Sequence, residues 1–425
     1  VRAQRNNIFS GIDLTLVLLY LFLIVFGWMN IYAASYSDQH FEVFDFATKY
    51  GKQMMWIGLS FVLIILILFI DAKLYERFAS LVYIGSLLSL AGLFAFGKRI
   101  NGATSWYDLG ATSLQPSEFA KFATVLALAK LLSDKQYDLK LVKNQIKAFI
   151  IIFLPAILIT LQPDPGSALV YTAFFFVLYR EGLPIYYIAI GAFAITLFIL
   201  TLAFGFNLIL MSTYGVFTLF ILYILFYRNI SLKFHWLKIS AIYALCGLFI
   251  FSVDYVYNHI FEQRHRDRFN ILLGKNTDTR GVGYNTNQSV LTIKSGGFSG
   301  KGFLEGDRTQ GNFVPEQQTD YIFSTIGEEW GFLGTSFLVI VFTLFVLRII
   351  QLAERQKTTF SRVYGYGIAA VFFFHYLINI GMVIGLFPTI GIPLPFFSYG
   401  GSGLWGFTIL LFIFIKLDAS KSYEL

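Results

Sequence analysis

The sequence predicts an all-α polytopic integral membrane protein. Only 13% of its residues are charged and 56% are hydrophobic, whereas a soluble domain carries roughly a quarter charged residues. Aromatics reach 19%, with 48 Phe and 25 Tyr; Phe suits lipid-facing surface, and Tyr and Trp favour the membrane interfaces. Apolar runs of spanning length recur along almost the whole chain, and the basic residues fall mostly on one side of them.

A hydrocarbon core of ~30 Å asks for about 20 apolar residues in a helix, fewer where neighbours cover the segment. Such runs lie at 14–34, 54–70, 78–96, 117–132, 146–161, 166–180, 185–205, 208–227, 236–255, 333–351, 364–386 and 402–417, which makes about twelve spans. The first run has no small-residue cleavage site behind it and reads as a retained span. The run 166–180 is short, and 185–205 is divided from 208–227 only by Gly-Phe-Asn.

Lys and Arg concentrate in cytoplasmic loops, which orients the chain. With the N-terminus inside, the inner segments hold Arg2, Arg5, Lys73, Arg77, Lys135, Lys140, Lys143, Lys147, Arg180, Arg228, Lys233, Lys238, Arg348, Arg355, Lys357, Arg362, Lys416 and Lys421. The short outer loops hold only Lys49, Lys52, Lys98 and Arg99. Both termini are therefore expected in the cytoplasm. The polar or Gly/Pro-rich interruptions at 97–116, 162–166, 256–332 and 387–401 then all fall on the outer face.

The remaining composition excludes several classes. The inner loops contain neither a P-loop nor a dinucleotide fingerprint, and no HExxH or GxSxG occurs, against nucleotide-driven, zinc-peptidase and serine-hydrolase chemistry. A single cysteine, Cys246, rules out a disulfide framework. The formal charge of +7 is absorbed by membrane sidedness and implies no nucleic-acid partner. Residues 1–425 read as one membrane domain without an internal repeat, with 256–332 as its large extracytoplasmic loop.

That loop carries the first candidate. Asp320 ends VPEQQTD where the chain re-enters apolar sequence. It reads as a general base at a partly desolvated boundary, as a helix N-cap, or as a divalent-cation ligand. Glu316, four residues earlier, would share its face on a helical turn. In SLQPSEFAKF, 113–122, Pro116 and Glu118 look like an ordinary helix start. Glu118 and Lys121 are spaced for an ion pair, either a structural bridge at a span mouth or a lysine turned toward a phosphate. The basic residues Arg264, Arg266, Arg268, Lys275, Arg280, Lys294, Lys301 and Arg308 could meet lipid phosphates or headgroups of membrane lipids. Trp106 could stack on a sugar or anchor at the interface. Asp164, in QPDPG, reads as a turn or cap residue, and FFSYGGSG, 396–403, as a tight re-entrant turn.

Taken together, NGATSWYDLG with LQPSEFAK, LQPDPGSALV, RDRF, GVGYNTNQS, SGGFSGKGF, NFVPEQQTDYIFSTIGEEWGFLG and FPTIGIPLPFFSYGGSG, in this order over residues 101–403, resemble the SEDS family (shape, elongation, division and sporulation), its RodA branch more than its FtsW branch. The resemblance implies a peptidoglycan glycosyltransferase. Such an enzyme polymerises lipid II, the undecaprenyl-pyrophosphate disaccharide-peptide, into β-1,4 glycan strands at the outer face of the bacterial cytoplasmic membrane during elongation. A lipid II flippase is the competing expectation. Asp320 matches the family's essential acid, Trp106 its first-loop Trp, and Glu118 with Lys121 its ion pair. Arg268, Gln288, Ser289, Lys301 and Glu316 fall in matching loop motifs and are carried over as substrate-binding candidates. A class B penicillin-binding protein transpeptidase and other elongation-complex membrane proteins are the implied partners. No cofactor is required and no metal ligands are assigned, with Mg or Mn as an optional divalent cation. Two departures stand out. GDRTQ is longer than the family's Gly-Thr-Gln turn, which leaves Asp307 and Arg308 without an assignable role. The family shows about ten spans, so an extra helix pair is expected within 205–255.

Overall fold

The computed structural model describes residues 11–36, 44–100, 102–110, 112–228, 236–261, 263–275 and 283–421. Arg2, Arg5, Lys233 and Arg280 of the charge reading lie outside these residues. Helices α1 (Leu14–Ser35), α2 (Lys49–Phe69), α3 (Ala72–Phe96), α4 (Pro116–Leu132), α5 (Val142–Leu161), α6 (Pro165–Leu169), α7 (Phe174–Arg180), α8 (Tyr186–Phe204), α9 (Phe206–Arg228) and α10 (Trp236–Tyr255) come first. They are followed by α11 (Gln263–Leu272), α12 (Tyr284–Ser295), α13 (Asp307–Gln310), α14 (Ile322–Glu329), α15 (Gly331–Glu354), α16 (Thr359–Val383) and α17 (Gly401–Ser420). Their starts follow from local chemistry: Asp13, Thr48, Asp71 and Thr358 each accept a first-turn amide proton, satisfying a donor the helix itself leaves orphaned.

Among the described residues ten helices are long and apolar enough to cross a membrane: α1, α2, α3, α5, α8, α9, α10, α15, α16 and α17. The expected twelve differ at two places. The run 117–132 forms α4, which has 17 residues and carries Glu118, Lys121 and Lys130. It is walled by other helices along most of its length, so lipid does not dictate its length. The run 166–180 breaks into α6, a 3-10 turn at Val170–Ala173 and α7. The chain divides into two compact units, Pro184–Tyr284 and the rest. The segment in which an extra pair was expected forms α9 and α10 of the smaller unit, where Leu197, Ile209 and Ile250 make a small core.

Within the larger unit, ion pairs tie together the ends expected to be cytoplasmic. Arg348 pairs with Asp13, Arg355 with Asp418, and Arg362 with Glu181, so the start of α1 and the ends of α7, α15 and α17 meet at one level. The opposite end of this unit gathers 97–116, 162–166, 285–332 and 387–401, which were expected outside. There the sequence reading missed a small antiparallel sheet, order β1-β2-β3, of Lys98–Ile100, Ala103–Asp108 and Ser113–Leu114. It is docked by Tyr107, whose hydroxyl donates to Ser89 O, and by Thr104 N, which donates to Gln162 O.

Candidate active site

Asp320 lies in a run of turns that α1, α16 and the 387–400 loop hold from three sides. Gln317 and Gln318 each donate from Nε2 to Ala34 O, at the end of α1, at 2.8 and 2.7 Å. Ser398 Oγ donates to Thr319 O at 2.7 Å, and Tyr399 N to Gln318 O at 2.9 Å. Asn379 Nδ2, from α16, donates to Asp320 O at 2.9 Å and to Ile392 O at 2.7 Å. Gly391 adopts a left-handed φ of +70°, and a Cβ there would stand 3.3 Å from Asp320 Oδ2. A glycine therefore keeps that flank of the carboxylate clear.

Two expectations for this segment are settled by its backbone. The N-cap of α14 is Tyr321, with no side-chain cap bond, so Asp320 is not the cap of the helix that follows. Residues 315–320 are turns rather than helix, and Glu316 itself sits at φ +54°. A shared helical face for Glu316 and Asp320 is thus not formed. The exposed Glu316 side chain instead accepts from Thr319 Oγ1 at 3.3 Å, and its carbonyl accepts from Thr319 N.

The Glu118–Lys121 pair is real and deeper than a span mouth. Lys121 Nζ lies 2.8 Å from both Glu118 oxygens and 2.9 Å from His375 Nε2, with the two side chains of the pair 3% and 1% exposed. An ammonium has three protons and no acceptor, so all its donors are used. That corrects the expectation of a lysine turned toward a phosphate: Lys121 has no proton to spare for one. Because Lys121 can only donate, His375 Nε2 accepts, and Nδ1–H donates to Pro393 O at 3.2 Å. The ring is the neutral Nδ1–H tautomer. His375 was passed over in the sequence because a lone histidine in an apolar run looks like a core residue.

Neighbouring loops close on the same end. Asp164 caps α6, accepting from Ser167 N and Oγ and from Gln115 Nε2, as its turn-or-cap reading expected. Gly166 packs so tightly that a Cβ would meet Ile390 O at 2.3 Å. Ser402 Oγ accepts from Gln115 N at 3.1 Å. Trp106 is half-buried on the middle strand, opposite Lys98.

Residues 296–310 hang on Glu328, another residue the sequence did not single out. Glu328 is fully buried. It accepts from Lys301 Nζ, Ser295 Oγ, Arg308 N, Thr309 N and Thr309 Oγ1 at 2.7–3.1 Å. Burial pushes its carboxyl up, but these donors outweigh burial and hold it below the usual range. Lys301 also pairs with the exposed Asp307, so two of its three ammonium protons are engaged. Arg308 bonds Gln288 and, at 3.0 Å, Thr292, and lies over the Phe313 ring. The GDRTQ insertion thus has a structural role after all: it clips α12 to the loop. Ser289, fully buried, donates to Val383 O, which ties α12 to α16. Arg268 lies on α11 in the smaller unit.

Glu329, next to that hub, is 1% exposed. One oxygen accepts from Leu304 N at 3.3 Å and the other has no partner. Burial, aided by the charge of Glu328 and only partly offset by the Leu304 bond, pushes its carboxyl up to about 7. The folded chain therefore holds a proton between about 4.5 and 7 that the unfolded chain has released. That contribution to stability is complete below about 4.5 and is lost as pH rises to about 7. A shift of this size corresponds to roughly 3 kcal/mol. Glu329→Gln is expected to flatten the fall in melting temperature over this range and to be the more stable protein above it; parallel melting curves in detergent for the two proteins would contradict the assignment.

Comparison with known proteins fits this geometry. The sequence profile of the FtsW/RodA/SpoVE cell cycle proteins matches residues 14–216 and 208–423. The chain belongs to that family. Within the FtsW/RodA/SpoVE proteins it is 32% identical to the peptidoglycan glycosyltransferase MrdB of Escherichia coli K12 over 393 residues, 92% of this chain and 90% of the relative. It is 30% identical to the peptidoglycan glycosyltransferase RodA of Treponema pallidum, over 97% of this chain and 98% of the relative. A chain from a structure described as the structural coordination of polymerization and crosslinking by a peptidoglycan synthase complex superimposes with a TM-score of 0.71 at 25% identity, covering 98% of this chain and 99% of that one. The chain is thus a multi-pass membrane protein of this family, as its motifs implied.

Proposed function

We propose that this chain is a peptidoglycan glycosyltransferase that polymerises lipid II at the outer face of the bacterial cytoplasmic membrane, with Asp320 as general base. Full-length similarity to MrdB and RodA, both peptidoglycan glycosyltransferases, supports the reaction class. The observation that carries the residue assignment is the setting of Asp320: a carboxylate that does not cap α14, on a backbone held from three sides and flanked by Gly391.

Asp320 takes the proton of the acceptor sugar's 4-hydroxyl, and that oxygen forms the new bond to the donor's anomeric carbon. The bond from this carbon to the diphosphate oxygen breaks, its electron pair leaving with undecaprenyl diphosphate, and the configuration inverts. Because the donor is already activated by its diphosphate, no nucleotide is needed. Lys121 spends its three protons on Glu118 and His375, and Lys301 pairs with Glu328 and Asp307; neither is assigned to the leaving group. Among the described residues no three acids, histidines or cysteines converge as a metal cluster, so no step is assigned to Mg or Mn. The proposed partner is a class B penicillin-binding protein supplying crosslinking, in line with the synthase-complex likeness.

A paired assay tests this reading. Purified protein with its transpeptidase should turn lipid II into glycan polymer in detergent, and should fail to move labelled lipid II across liposomes. Transport without polymer would replace the enzyme by a flippase.

A further inference from the structure

Two polar side chains one turn apart on α16, His375 and Asn379, both bond backbone carbonyls of the 387–400 loop. Residues four apart lie on one helix face, and here that face is buried, with His375 at 1% and Asn379 at 0% exposure. His375 holds Pro393 O through Nδ1, and Asn379 holds Ile392 O through Nδ2. Behind the loop, His375 Nε2 accepts from Lys121, which Glu118 neutralises. In front of it, the same Asn379 amide reaches Asp320 O, while Gly391 lies against the Asp320 carboxylate. The two carbonyls are therefore fixed by adjacent side chains of one rigid helix. A run of hydrogen bonds and loop backbone leads from the buried ion pair to the Asp320 carbonyl.

We propose that His375 and Asn379 are positioning residues for glycosyl transfer: Asn379 sets Asp320 directly, and His375 sets it through the 391–393 backbone, using the Glu118–Lys121 pair as its anchor. The inference rests on reading Asp320 as the base. Its physical sense is that a base misplaced by about 1 Å costs on the order of a hundredfold in rate, so a mobile loop end needs fixing on both sides. The Lys121 ammonium is then not a substrate contact but the donor that keeps His375 in the tautomer able to hold Pro393. Asn379 donates to the Asp320 carbonyl, so its loss releases the backbone that carries the carboxylate.

The test uses the full-length protein with its transpeptidase and compares Asn379→Leu, His375→Phe and His375→Gln, following polymerisation of lipid II against pH. The Gln amide can accept from Lys121 and donate to Pro393, whereas Phe keeps bulk and loses both bonds. Asn379→Leu and His375→Phe are expected to lower kcat about tenfold or more with KM changed less than about twofold. They should also displace the acidic limb of the kcat profile, because the carboxylate leaves its place against Gly391. His375→Gln is expected to keep at least about half of the kcat, with the limb in place. A variant that merely leaves part of the sample unfolded lowers the amplitude and leaves the limb where it was; that result, or a His375→Gln as impaired as His375→Phe, would overturn the proposal. Asp320→Asn run alongside separates the two readings. If it stays active, the base assignment fails; if it is inactive while Asn379→Leu matches wild type, positioning fails alone.

Discussion

Asp320→Asn is expected to abolish polymer formation while leaving the protein folded. The substitution keeps the volume and removes the group that takes the acceptor's proton, and losing a positioned general base typically costs about 10²–10⁴ in rate. The fold should survive because the substitution leaves the backbone contacts of this segment in place. Asn379 bonds the Asp320 carbonyl, Ser398 the Thr319 carbonyl, and Gln317 and Gln318 the end of α1, none of which uses the Asp320 carboxylate. Tyr321, not Asp320, occupies the cap position of α14, so no capping energy is lost. The measurement is glycan length from lipid II beside a melting curve in detergent. Full-length product from Asp320→Asn would sink the assignment. An inactive variant that melts many degrees lower would leave the residue a structural one.

The sequence made the membrane plan legible because long apolar runs and one-sided basic loops are direct consequences of the bilayer. It also brought out Glu118 and Lys121, since a carboxylate and an amine three apart inside an apolar run have few partners but each other. What it could not supply was contact across the chain. The third member of that cluster, His375, is 254 residues away from Lys121, just after the apolar run Ala369–Phe374 of its helix. Glu328 likewise stands in the sequence as one of several acids in a polar loop. Only its burial beneath the 301–309 backbone shows that it organises the loop. Spacing misled at Glu316 for a local reason. A left-handed residue at that position turns the chain away from helix, and a four-residue interval then says nothing about a common face. The small sheet was missed because strands of three, six and two residues are too short for an alternation pattern to emerge, and the docking of Tyr107 on α3 makes them possible.

Lys121→Met is the substitution expected to cost most in stability. It removes the positive member of a pair whose side chains are 1% and 3% exposed, and leaves the buried Glu118 carboxylate beside Gly403 without its cation. Breaking a buried pair from one side typically destabilises by about 3–5 kcal/mol, because the remaining charge has neither water nor partner. His375 cannot compensate while it holds Pro393, since its free nitrogen is an acceptor. The double replacement Glu118→Gln with Lys121→Met removes both charges and is expected to recover much of the melting temperature, as buried pairs replaced by packed neutral side chains commonly do. Activity should not recover with it. The neutral pair offers His375 a Gln donor in a different place, so the carbonyls of 392 and 393 lose their fixed reference even in a stable protein. Melting and polymerisation measured on the single and double variants separate the two roles. If activity returns in step with stability, the ion pair serves the fold alone. If stability returns and activity does not, the charge on Lys121 is kept for the geometry it imposes on the loop beside Asp320.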